Sequence, residues 1–251
     1  MKQILFILLA VMNAAFAQQL LSISTDKTTS LIFPFPIKYV DRGSRDILVQ
    51  PVKEDERILL VKAASKQFTE TNLSVVTGDG NVYEFTVNYT PQPSVLVLHL
   101  PPNKKATISA YANAILNNPP RRISKVEHGA VITKLSGIYI KDDVIYYQLE
   151  IHNHSPLDFD IDLLKFFITD KKRSKRSSVQ ENELLPLYVA GNRSKVKAYN
   201  FSVMVVALDK FTIPDAKFLG IQLMEKNGGR HFNLKVYNRQ ILKARMLPEL
   251  N

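Results

Sequence analysis

From Leu31 onward, short runs rich in Val, Ile, Tyr and Phe recur between turn residues, and apolar and polar positions alternate within them. A period of two gives a strand one buried and one solvated face. Segments 48–52, 57–62 and 73–76 read as strands, and Pro51, which lacks an amide donor, directs the first of them to a sheet edge. After the turn Gly78-Asp79-Gly80-Asn81, the residues Tyr83, Phe85, Val87 and Tyr89 alternate with Val82, Glu84, Thr86 and Asn88. Segment 94–100 reads as a fully apolar strand that Pro101-Pro102 stops. The period then changes. Ile108, Tyr111, Ala112 and Ile115 stand at i, i+3, i+4 and i+7, which predicts one face of a short helix, broken at Asn117-Asn118-Pro119-Pro120.

The second half returns to strands. Segments 135–140 and 144–152 flank the hairpin signal Lys141-Asp142-Asp143, and 157–169 and the apolar run 203–207 follow. Segments 218–224 and 232–237 flank Asn227-Gly228-Gly229, and the tail 240–250 reads as a last strand or a short helix. Many short strands at this spacing argue for sandwiches rather than parallel βαβ units.

The first seventeen residues carry a different pattern. Lys2 precedes an apolar run from Ile4 to Val11, and Ala15-Phe16-Ala17 forms a small-residue cleavage site before Gln18. This is the pattern of a secretory signal peptide, too short to span a bilayer, and no Cys follows it to take a lipid. The expected organisation is therefore mainly β: a signal peptide at 1–17, an N-terminal β-sandwich at 18–100, a helical, Pro-rich connector at 101–125, and an immunoglobulin-like β-sandwich at 126–251. The expected location is the periplasm.

Composition adds two constraints. With 45% hydrophobic and 22% charged residues the chain is globular rather than disordered. The absence of Cys excludes disulfides, thiol catalysis and Cys-ligated zinc, so burial alone must stabilise an exported fold. The net charge of +10 points to an acidic protein, an anionic surface or a nucleic acid as partner, or to a merely solvated basic surface. That charge is densest at Lys171, Lys172, Arg173, Lys175 and Arg176, which reads as an exposed loop and is the candidate partner-binding segment.

Two other clusters carry candidate chemistry. His152-Asn153-His154 places two imidazoles on one strand face, where a metal could reach both, yet a nuclease site needs further ligands. Asp158, Asp160 and Asp162 alternate, but a Ca²⁺ loop of the EF-hand type needs Gly at the sixth position and Glu at the twelfth. Leu163 and Thr169 stand there instead. No nucleophile elbow, zincin motif or phosphate-binding glycine loop occurs. The residues thus predict no catalytic, metal or cofactor site.

Five segments taken together resemble the TraN proteins of conjugative transposons, a DUF4138-type family. They are Leu31-Ile32-Phe33-Pro34-Phe35-Pro36-Ile37, Val40-Asp41-Arg42-Gly43-Ser44-Arg45-Asp46, Thr71-Asn72-Leu73-Ser74-Val75, Gly137-Ile138-Tyr139-Ile140-Lys141-Asp142-Asp143 and Asn153-His154-Ser155-Pro156-Leu157-Asp158-Phe159-Asp160-Ile161-Asp162. The N-terminal half is similar, more loosely, to the TrbG-like outer-membrane subunit of type IV secretion systems. The resemblance implies a non-catalytic subunit of the outer-membrane core complex. It would form a ring, pack against a small lipoprotein and an inner-membrane-anchored scaffold subunit, and reach the outer membrane through them. It assigns no residue a catalytic role. Phe33, Phe35, Leu73 and Phe159 in these segments are expected to be core. The alternative from the residues alone is a surface or secreted binding module for glycan or cell-wall polymer.

Overall fold

The computed structural model describes residues 19–171 and 181–250. The signal-peptide expectation, and Lys172, Arg173, Lys175 and Arg176 of the basic run, lie outside the described residues. The chain is mainly β and divides into two compact units: residues up to Gly78 with Val82–Pro101, and Asp79–Asn81 with everything from Pro102 onward. No helix among the described residues is long and apolar enough to cross a membrane.

The first unit contains β1 (Gln19–Ile23), β2 (Thr29–Ile32), β3 (Ile37–Arg42), β4 (Ile47–Pro51), β5 (Ile58–Ala63), β6 (Thr71–Thr77), β7 (Val82–Tyr89) and β8 (Val97–His99). They form two four-stranded sheets, β1-β7-β6-β3 and β4-β5-β2-β8. One core takes Ile23, Leu73, Val75, Phe85 and Val87 from the first sheet and Leu31, Ile47, Leu59 and Val61 from the second. Alternation along β5, β6 and β7 puts every second residue there. The strand carrying Pro51 is an edge, as expected, where a missing amide donor costs no ladder bond. Segment 94–100 departs from the expectation. Only Val97–His99 pairs, in parallel with β2, and Val95 and Val97 are exposed, because β8 is itself an edge with no second neighbour.

Two of the resemblance segments build this core and one of its turns. Phe33 and Phe35 are buried. Gly43 donates its N–H to Asn72 O at 2.8 Å, and a Cβ there would stand 2.1 Å from Asn72 Oδ1. A larger residue there would need the Asn72 and Thr71 side chains to move aside.

The second unit contains α1 (Lys104–Ile115), β9 (Ser124–His128), β10 (Val131–Lys141), β11 (Val144–Asn153), β12 (Phe159–Asp170), β13 (Asn182–Leu184), β14 (Tyr188–Gly191), β15 (Lys195–Val196), β16 (Asn200–Asp209), β17 (Lys217–Glu225), β18 (His231–Val236), α2 (Asn238–Ile241) and β19 (Arg245–Met246). One sheet runs β14-β16-β11-β10-β19 with β9 also on β10; the other runs β13-β12-β17-β18 with β15 also on β12. Leu135, Tyr147, Leu149 and Val206 from the first sheet meet Phe166, Leu219, Ile221 and Phe232 from the second in one core.

The expected helix forms, with Asn103 Oδ1 capping Lys105 N and Ala106 N, and it buries the four residues its spacing picked out. Its role differs from that of a connector. Ile108, Tyr111, Ala112 and Ile115 pack on Tyr139, Val144, Tyr146, Val205 and Ala207, so α1 is a layer of the second unit. That layer explains β11, which is buried along almost its whole length: one face meets the main core and the other meets α1.

Gln148 fixes the helix in place. This buried amide donates from Nε2 to Ile115 O and Asn118 O, both at 3.1 Å, and accepts from Tyr139 Oη at 3.2 Å. Gly137 makes room for the group: a Cβ there would lie 2.4 Å from Tyr139 Cε2 and 2.7 Å from Gln148 Oε1. Gly137→Ala is therefore expected to destabilise the second unit by about 2 kcal/mol, as overpacking does, measured by urea unfolding. An unchanged midpoint would mean that Tyr139 and Gln148 give way freely.

Candidate functional site

The two clusters singled out by sequence are engaged with the protein's own side chains. His152 and His154 do share a face, stacked with ring centroids 6.3 Å apart, and Phe201 continues the stack at 5.6 Å from His152. His152 Nε2 stands 2.9 Å from Glu150 Oε2 and 3.2 Å from Lys134 Nζ. An ammonium thus occupies the side from which a metal would approach. Among the described residues no group of three or more His, Asp or Glu side chains is arranged to hold a metal ion.

Two of the three alternating carboxylates behave alike. Lys195 Nζ bridges Asp158 Oδ2 at 3.2 Å and Asp160 Oδ1 at 3.3 Å, where a Ca²⁺ ion would sit. The hydrogen bond from Ala198 N, with help from Lys195, holds the Asp158 carboxyl below the usual carboxylate range. Phe159, between the first two carboxylates, is fully buried.

Asn153, in the same segment, organises the loop that follows it. Its buried Nδ2 donates to Leu157 O at 2.7 Å and to Val196 O and Lys197 O at 3.2 Å, while Oδ1 accepts from Ser155 N and Ser155 Oγ. Beside it lies Arg230, which forks onto Glu225 across the Asn227-Gly228-Gly229 turn and donates to Ser155 Oγ at 3.0 Å and Asp158 O at 2.8 Å. The hydrogen bonds from Arg230 hold the Glu225 carboxyl below its ordinary range. A carboxylate with a depressed folded pKa stabilises the fold above its unfolded value near 4.5 and loses that contribution as pH falls through the folded pKa. Thermal melts below about pH 4.5 should therefore show a fall in Tm that is shallower in Glu225→Gln. Equal slopes in both proteins would remove Glu225 from the acid response.

A basic surface surrounds α2, in which Lys217 pairs with Asp170 at 3.8 Å. The short helix follows β18; Gln240 Oε1 accepts from Tyr237 N at 2.7 Å, and Ile241 anchors it in the core. On one side lies a cleft of about 450 Å³ lined by Lys171, Asp215, Lys217, Tyr237 and Arg239. Lys171 Nζ and the Arg239 guanidinium stand 5.2 and 5.9 Å from the centroid of the Tyr237 ring. Lys171, the one residue of the candidate basic run within the described residues, thus borders this surface, and its N–H bonds to Ala216 O. On the other side lies a cleft of about 210 Å³ lined by Arg121, Arg122, Ile123, Ile138, Tyr139, Lys243 and Arg245, with no carboxylate in its wall. None of its four cations has an ion-pair partner among the described residues. Sequence reading missed this grouping because its cations come from separate segments and no run betrays them. Clustered, unpaired guanidinium and ammonium groups bind anions and draw them in over distance.

Two family models match the chain: DUF4138, a domain of unknown function, over residues 105–246, and DUF8473, also a domain of unknown function, over residues 21–93. No curated protein matches it. The DUF4138 model spans more than half of the chain, which therefore belongs to the DUF4138 family.

Proposed function

We propose that this DUF4138 protein is a non-catalytic structural subunit of an envelope-spanning conjugative DNA-transfer apparatus of the type IV secretion kind, assembling at the periplasmic face of the outer membrane. The DUF4138 match carries the reading, because it supports association with conjugative transposons. The export pattern of 1–17 supports the periplasmic placement, and the TraN-like and TrbG-like segments support a ring with a lipoprotein and an inner-membrane-anchored scaffold. In this reading both units are β-sandwiches, the second immunoglobulin-like, and the outer membrane is reached through partners. The His and Asp clusters serve the fold, which supports assembly rather than catalysis. The basic run at 171–176, whose Lys171 borders the surface around α2, meets an acidic partner.

The test is a mild-detergent pull-down of tagged protein from envelope fractions, with partners identified by mass spectrometry. The expected result is a large outer-membrane complex containing a lipoprotein and a scaffold subunit; a lone monomer would overturn the reading. Replacing Lys171, Lys172, Arg173, Lys175 and Arg176 by Ser is expected to weaken assembly, more so at low ionic strength where charge is least screened. Assembly unchanged at low salt would remove that run from the interface.

The exposed stack of Phe201 on His152 and His154, with exposed Tyr199 close by in sequence, favours a second reading as a glycan-binding platform. It predicts a monomer whose retention on cell-wall polymer is lost in Phe201→Ala.

A further inference from the structure

The smaller basic cleft sits over an interruption in a sheet edge. Opposite β11, β10 pairs with β9 at residues 131–135 and with β19 at Tyr139 and Ile140. Between them Arg121 N bonds to Ser136 O, and no strand among the described residues pairs with Gly137 or Ile138 on that edge. The chain also shifts register here: β10 bulges against β11 between Leu135 and Gly137. The opening is two residues long, Gly137 and Ile138, or roughly 7 Å at the rise of a strand. Its walls combine half-buried Ile123 with Arg121, Arg122, Lys243 and Arg245, over a floor in which Ile138 and Tyr139 are buried.

We infer that this slot captures an acidic peptide segment of a protein partner, seating a carboxylate side chain among the four cations and an apolar neighbour against Ile123. Charge complementarity selects an anion, and guanidinium forks match a carboxylate's two oxygens. The closed length selects a peptide over a nucleic acid. A single strand is held by a groove that follows its successive phosphates, whereas Arg121 and β19 end this slot after two residues. Half-buried Ile123 gives an alternating acidic and apolar segment a contact that a bare phosphate lacks.

The slot shares its surface with the assembly reading but is tested apart from it, on the purified full chain. The probe is a fluorescein-labelled peptide of alternating Glu and Leu, followed by anisotropy at low salt. The expected result is binding that weakens at least about tenfold in R121S/R122S/K243S/R245S. In K38S/K53S/K66S/K226S, which removes the same charge at exposed sites elsewhere, it should change less than about twofold. R121S/R122S alone should fall between them, and all variants should keep the parent Tm, since the replaced side chains are surface groups. Equal weakening in both quadruple variants, or no peptide binding at millimolar concentration, overturns the slot. So does tighter binding of oligo-dT or phosphatidylglycerol vesicles that is lost in the first quadruple variant, which would assign the cleft to nucleic acid or lipid. Failure of the pull-down leaves the peptide result standing, and failure of the peptide leaves the pull-down standing.

Discussion

Asn153→Asp is expected to destabilise the second unit by about 4 kcal/mol, a large share of the ~5–15 kcal/mol that holds a domain together. The substitution keeps shape and volume, so the effect isolates the amide's protons. Nδ2 is the donor to three backbone carbonyls, those of Leu157, Val196 and Lys197. A carboxylate at that position would leave all three without a donor and set a negative charge against their oxygens in a buried site. Two outcomes are open to the variant: protonating the new carboxyl, which restores a single donor, or releasing the 154–158 loop. The measurement is urea unfolding with far-UV circular dichroism, repeated at acid pH, where protonation should recover part of the loss. A stability loss under 1 kcal/mol would show that the loop is held by other groups, a threshold set by the worth of one ordinary hydrogen bond of about 1 kcal/mol.

Arg230→Ala should cost a similar amount, about 3–5 kcal/mol, because it leaves the Glu225 carboxylate largely buried and unpaired. Both side chains are mostly shielded, at 14% and 12% exposure, so solvent screens the pair little. Arg230 also stacks over Phe159, with its guanidinium 5.3 Å from the ring centroid, and packs its stem close to Gly129. The informative companion is Arg230→Met with Glu225→Leu. If the single variant fails because of the stranded charge, the apolar pair should recover most of the loss; the shortfall measures the bonds to Ser155 Oγ and Asp158 O. No recovery would place the cost in those bonds instead. Since Ser155 joins Asn153 and Arg230, their losses should be less than additive in a double-mutant cycle.

Strands were legible in this chain wherever one face is solvated, because alternation is then written directly into the residues. Val82–Tyr89 is the clear case. β11 obeys a different rule: its near-continuous apolar run reflects a helix laid over its second face, and no local pattern announces that helix's destination. The spacing at Ile108, Tyr111, Ala112 and Ile115 located the buried stripe of α1 but not the sheet that receives it. The tail resolved into both candidate elements, α2 and then β19, each too short to show a period. Asn153 stood within a recognisable segment, yet its task depends on Val196 and Lys197, more than forty residues away. The Glu225–Arg230 pair left the better trace, since opposite charges flanking a turn face one another across a hairpin. The surface around α2 left none, because charge brought together by folding is diluted along the chain.

Each unit joins early segments to late ones. β1 lies in parallel on β7, and β2 lies in parallel on β8, while Tyr111 of the opening helix donates to Pro248 O, 137 residues on. A chain that emerges from a ribosome or an export channel N-terminus first must therefore hold β1 unpaired until β7 appears, and β2 with only β5 beside it until β8 appears. Such distant pairings form slowly and leave strand edges open to wrong partners. Holdases would be needed most in the interval before His99 is released, and a truncation just short of β8 should be far more prone to aggregation than one just beyond it.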